Sequence, residues 1–149
     1  MRPLNVYTPA EMWYIQNEVI TMKKKIVTVA LVLLVAAVVN SMILRLDRDA
    51  EGTITYLYGD TAFSEPLTSK EVGAVVRILD GKMQTPDNPS CGFSEDIAVT
   101  IDGVTFALAC DQCGLVKNCE TGWYIRIHAQ ERIILEALFL VRGGKFPCV

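Results

Sequence analysis

From Ile26 to Leu44, nineteen consecutive residues carry no charge, and Lys23-Lys24-Lys25 stands immediately before them. A helix rises about 1.5 Å per residue, so this run would span roughly 28 Å, close to the ~30 Å hydrocarbon thickness of a bilayer. Three lysines at one end favour the cytoplasmic side. The sequence therefore predicts a single-pass transmembrane helix over 26–44, with a short cytoplasmic segment at 1–25. A polar tether follows at 45–52, and an extracytoplasmic domain at 53–149. The expected location is the cell membrane, with the C-terminal domain outside. The competing reading is a signal cut after Val39-Asn40-Ser41, which would leave a secreted protein. Met42-Ile43-Leu44 continues the apolar run past that point, which favours the uncut anchor. Met22 opens a complete export start of its own, so residues 1–21 also read as an over-extended start.

Charge divides the chain at the same place. Residues 1–46 carry net +3 and residues 47–149 net −6. An acidic outer part argues against nucleic acid as a partner, because clustered Lys and Arg are needed to displace counterions from phosphates.

The outer part reads as one small α+β domain in the order β-α-β-β-β-α, a mainly antiparallel sheet with helices on one face. Thr53–Tyr58 has strand composition, and Gly59–Pro66 reads as loop. Thr68 and Glu71 have capping-box spacing. The helix they open places Val72, Val75, Val76 and Leu79 on one face and ends at Asp80-Gly81. Met83–Ser90 reads as irregular. Asp102-Gly103 stands between the alternating runs Asp96–Ile101 and Val104–Cys110, the signature of a two-residue hairpin turn. Its register sets Ile101 against Val104, Val99 against Phe106 and Ile97 against Leu108, with Cys110 continuing that face. Leu115–Lys117 reads as strand or loop, Trp123–Ile127 as a strand, and Ala129–Arg142 as a helix closed by Gly143-Gly144.

All five cysteines fall in the outer domain, where an oxidising compartment would turn them into crosslinks. Extending the hairpin register brings Cys91 near Cys113. Cys110, on the core face, pairs best with Cys148 in the tail, and Cys119 is left as the free thiol. Two other chemistries compete. Cys110-Asp111-Gln112-Cys113 has the spacing of a thiol–disulfide exchange pair, which would need a helix starting just after it. The same pair could be half of a zinc site completed by two of Cys91, Cys119, Cys148 or His128. His128, the only histidine, reads as a polar residue at a helix start, and Glu95-Asp96 as a solvated loop.

No spacing assembles a catalytic group, and no cofactor is implied. The last helix leaves only Glu136 polar between Ile133 and Val141, so its apolar groups cover more than one face. It either lies between the sheet and the preceding helix, or offers Ile133, Leu135, Phe139 and Leu140 to a protein partner or a second copy, or lays one edge on the membrane. The functional expectation is a membrane-anchored, disulfide-stapled binding module rather than an enzyme.

Overall fold

A computed structural model describes residues 9–111 and 113–146. They form three helices and seven strands, divided into two units at Ser41/Met42.

The first unit is α1 (Pro9–Ser41). Its side chains from Thr21 to Asn40 are all exposed. Leu31, Val32, Leu33, Leu34 and Val35 are each 55–64% exposed. Five successive helical residues sweep more than a full turn, so this segment is apolar all round and has no core-facing stripe. The helix stops at Ser41, whose Oγ donates to the Val38 carbonyl at 2.7 Å. The predicted span to Leu44 is therefore corrected to a helical stretch of sixteen uncharged residues, Ile26–Ser41. That stretch rises roughly 24 Å. Among the described residues, no helix is long and apolar enough by itself to cross a membrane.

The missing end of the run belongs to the second unit. Ile43 bridges to Met83, Leu44 donates its N–H to the Lys82 carbonyl, and its side chain is buried. Leu46 donates its N–H to Asp80 Oδ1 at 3.0 Å. The start of the predicted tether at 45–52 is thus fastened to the domain. An apolar Leu44 gains more from a core than from the end of a fraying helix.

The second unit is an α+β domain with an antiparallel sheet. Its strands are β1 (Gly52–Tyr58), β2 (Thr61–Pro66), β3 (Gln84–Thr85), β4 (Phe93–Ile101), β5 (Val104–Ala109), β6 (Leu115–Asn118) and β7 (Tyr124–Arg126). They are ordered β2-β1-β4-β5-β6-β7-β3. Two helices pack on it, α2 (Ser69–Leu79) and α3 (Ala129–Leu140). Val72, Val75, Val76 and Leu79 of α2 share one core with Leu135, Leu138 and Phe139 of α3. The alternate residues Ile54, Val99, Ile101, Phe106 and Leu108 complete it from the sheet.

Asp102 and Gly103 take positive φ, 52° and 74°, as the tight turn requires. Ile101 then pairs with Val104, and Val99 with Phe106. The regular register ends at Ala98, where an irregularity shifts the pairing so that Phe93 meets Ala109. Ile97 remains buried on the core side.

Two strands stand where loop was expected. β2 occupies most of Gly59–Pro66, and β3 lies inside Met83–Ser90. Every β2 residue is exposed, so no alternation of burial marks it; pairing with β1 across Gly59-Asp60 makes it a strand.

Candidate functional site

The chemistry-bearing residues gather where β5 leaves the sheet and α3 begins. Cys91 and Cys113 are joined in a disulfide, their Cα atoms 6.7 Å apart, so the structure brings together the pair picked out by the hairpin register. The bond closes the open end of the β4–β5 hairpin. Asp111 Oδ1 accepts the Cys113 N–H at 3.0 Å and tightens the turn. Gly114 follows because its carbonyl accepts from Ile127 N–H at 2.9 Å, and an added Cβ would stand 2.6 Å from the Ile127 oxygen.

Arg132 ties this turn to α3. It is nearly buried, yet every arm of its guanidinium is engaged. Nη2 donates to the Ala109 carbonyl at 3.1 Å, Nη1 to the Cys113 carbonyl, and Nε to Glu136. A buried charge is tolerated when paired and hydrogen-bonded in this way. The two carbonyls flank the cysteine turn, so one side chain fixes both of its ends to the helix. Sequence reasoning missed this residue, although a single Arg at the buried spacing 132, 135, 139 was a readable signal.

Cys110 is buried on the core face, and its expected partner Cys148 lies outside the described residues. Cys119 follows β6, where its N–H donates to the Thr105 carbonyl. Among the described residues it enters no disulfide. Burial pushes its thiol pKa up, which keeps it protonated and poorly nucleophilic.

This arrangement bears on both alternative chemistries. Cys113 is bonded to Cys91 and not to Cys110, and the chain after it enters β6, so the helix that exchange chemistry would use is not there. For zinc, the group of candidate ligands among the described residues is Cys91, Asp111 and Cys113, with ligand atoms within 4.8 Å. Two of those three sulfur and oxygen donors are spent in the disulfide. The four converging sulfurs of a structural zinc site are not assembled among the described residues.

His128 caps α3 through its backbone. Its N–H donates to Glu131 Oε2 at 2.7 Å, and Lys82 Nζ lies 2.8 Å from the same oxygen. Burial raises the Glu131 pKa, but the Lys82 and His128 hydrogen bonds outweigh it and hold the carboxyl below its ordinary value. A shallow cleft of about 580 Å³ beside it is lined by Gly114, Arg126, His128, Arg132, Ile133 and Glu136.

The far end of α3 is locked by Arg142. Nη2 reaches Glu71 at 2.9 Å and Nη1 donates to the Leu138 carbonyl at 2.8 Å. Nε lies 3.3 Å from Glu65 without the alignment of a hydrogen bond. Tyr56 Oη donates to Glu65 at 2.7 Å, and that bond, helped by burial, raises the tyrosine pKa.

The four expected partner contacts divide. Leu135 and Phe139 are 0% and 1% exposed and belong to the core, which removes them from any outer surface. Ile133 and Leu140 are 58% and 59% exposed. Ile134 (47%) and Val141 (76%) stand out with them, and so does Ala137. Spacing i, i+1, i+4, i+7, i+8 makes these five one stripe. The helix therefore packs on the sheet with its outer side open, and not between the sheet and α2.

Fold and site together define a small disulfide-bearing α+β domain that follows an apolar helix. Comparison with models of known protein families, with curated proteins and with solved structures finds no match.

Proposed function

We propose that the chain is a single-pass, membrane-anchored interaction module whose α+β domain works outside the cytoplasm. The observation that carries the reading is α1. Its segment Ile26–Ser41 is apolar on every side, exposed, and preceded by three lysines. In water such a surface is unfavourable by about 25 cal/mol for each exposed apolar Å². A bilayer removes that cost. The uncharged stretch is a few ångströms short of an average hydrocarbon core. Lysine stems that snorkel to the interface and modest local thinning make up such a difference. The lysines favour the cytoplasmic side, which sends the domain outward. A disulfide suits that oxidising side.

The interaction role rests on the uncharged outer stripe of α3, since an apolar helix face left open in a small domain marks a contact surface. Anchoring raises the effective concentration of such a surface toward other membrane-bound partners.

The test is alkaline carbonate extraction of membranes from cells making the full chain, followed by external protease on intact cells or spheroplasts. The chain should stay in the membrane pellet, and residues 42–149 should be cut from outside. Recovery in the carbonate supernatant, with the full-length mass retained, would falsify the anchor.

A further inference from the structure

We propose that the outer stripe of α3 is covered by the same stripe of a second copy of this chain, in an antiparallel helix pair with its twofold axis at Ala137. The inference deepens the reading as an anchored interaction module and rests on it for the tether.

The argument begins with the order of residues on the stripe. Measured from Ala137, Ile133 and Ile134 lie four and three residues before it, and Leu140 and Val141 three and four after it. The stripe is therefore symmetric about its smallest member. A twofold axis through Ala137 sets Ile133 against the partner's Val141 and Ile134 against the partner's Leu140. The two alanines face each other. An isologous contact demands this self-complementarity, in which residue i meets j and j meets i. A methyl group at the crossing point lets helix axes approach to about 8 Å, the close end of the usual packing range. Flanking branched side chains then interdigitate on both sides of it.

Charge permits the contact. No ionisable residue lies on the stripe, and the charged neighbours are held within their own chain: Arg132 by Glu136, Arg142 by Glu71, and Glu131 by Lys82. Pairing would therefore desolvate few polar groups.

The area sets the expected strength. With Ile133, Ile134, Leu140 and Val141 exposed by 58%, 47%, 59% and 76%, each copy offers roughly 400 Å² of apolar side chain, so the pair buries about 800 Å², below the ~1,200 Å² of stable interfaces. Such a contact is weak between free molecules and becomes populated when both are confined to one membrane.

The experiment is cysteine crosslinking of the full chain in membranes, with copper–phenanthroline as oxidant and the unsubstituted chain as background. Ala137→Cys sits on the axis, within the ~4.4–6.8 Å Cα separation that a disulfide needs. It should give a dimer band well above that from Lys70→Cys, an exposed position on α2. On the Ala137→Cys background, Ile134→Glu should lower dimer yield about tenfold, because it buries an unpaired charge. Leu140→Lys should do the same. The double substitution should restore the dimer, since the axis brings the new acid of each copy against the new base of the other. Both sites are exposed, so neither change threatens the fold. A dimer yield at Ala137→Cys no greater than at Lys70→Cys would overturn the pairing. So would a double variant no better than either single one, the result expected if lipid or a different protein covers the stripe. Carbonate extraction of the same samples separates the two proposals. A chain that crosslinks at Ala137→Cys yet washes off the membrane upholds the pairing and removes the anchor. One that stays in the membrane and does not crosslink does the reverse.

Discussion

Helices α2 and α3 lie on the same sheet and feed the same core, yet they spend their apolar residues differently. In α2 the valines and leucine at 72, 75, 76 and 79 are buried, and the opposite side carries Ser69, Lys70 and Arg77. In α3 one stripe, Leu135, Leu138 and Phe139, is buried, and a second, from Ile133 to Val141, is open. A single apolar stripe is what a helix on one face of a sheet requires. α2 therefore has a structural explanation that is complete, while α3 carries a surplus that folding does not use.

Truncation gives the sharpest contrast. Phe139→Ala should cost about 3–5 kcal/mol, because it empties a buried site that can relax only partly. Val76→Ala should cost about 1–3 kcal/mol for the smaller volume lost from the same core. Ile134→Ala should change stability by no more than about 0.5 kcal/mol, the range for surface positions. Urea unfolding of the three variants decides it. An Ile134→Ala cost near that of Val76→Ala would show that the outer stripe is covered within the chain.

The next contrast concerns the crosslink. The Cys91–Cys113 bond closes a separation of 22 residues, so replacing both cysteines by alanine should cost about 3 kcal/mol. Arg132 fastens only α3 to the cysteine turn. Hydrogen exchange should therefore accelerate in the first turns of α3 more than in α2. Equal acceleration in both helices would detach Arg132 from this role.

The caps differ as well. Thr68 accepts the Glu71 N–H with its side-chain oxygen, whereas His128 offers only its backbone N–H to Glu131. Thr68→Ala should cost about 1 kcal/mol and His128→Ala a few tenths, read from thermal midpoints.

The smallest effect is shared. Burial raises the pKa of Glu71, but hydrogen bonds from Thr68 and the Arg142 pair outweigh it and leave the carboxyl lowered; Glu131 behaves likewise through Lys82 and His128. A carboxyl whose pKa is lower folded than unfolded binds fewer protons in the folded state. Its contribution is present above the unfolded value, about 4.3, and fades as pH falls through the lower folded value. Stability should fall as pH drops below about 4.3 and through the lower folded values, and the Glu71→Gln, Glu131→Gln double variant should flatten that slope. An unaltered slope would assign acid sensitivity to other carboxylates.

Much of the fold was legible where one local rule acted alone. Thr68 with Glu71, Asp102 with Gly103, and the 72, 75, 76, 79 stripe each state their geometry within a few residues. Elements that depend on a distant partner were not legible. β2 has no buried face to announce it, and Gln84 became a strand residue by pairing with Ile125. Gln84 also accepts a hydrogen bond from the buried Asn118 at 2.7 Å, a polar pair that neither residue signals alone. In the candidate site the Cys91–Cys113 proximity followed from turn geometry. The role of Arg132 required knowing where α3 docks.

Periodicity and backbone preference over short distances already set the charge-marked apolar helix, the hairpin with its cysteines, and which residues of α2 face inward. Long-range packing chose which of two apolar stripes on α3 would be buried. The same packing draws Ile43 and Leu44 into the domain and sets a lone arginine on the cysteine turn. Hydrophobicity says that a residue prefers leaving water; the arrangement of distant strands and helices settles which neighbour receives it.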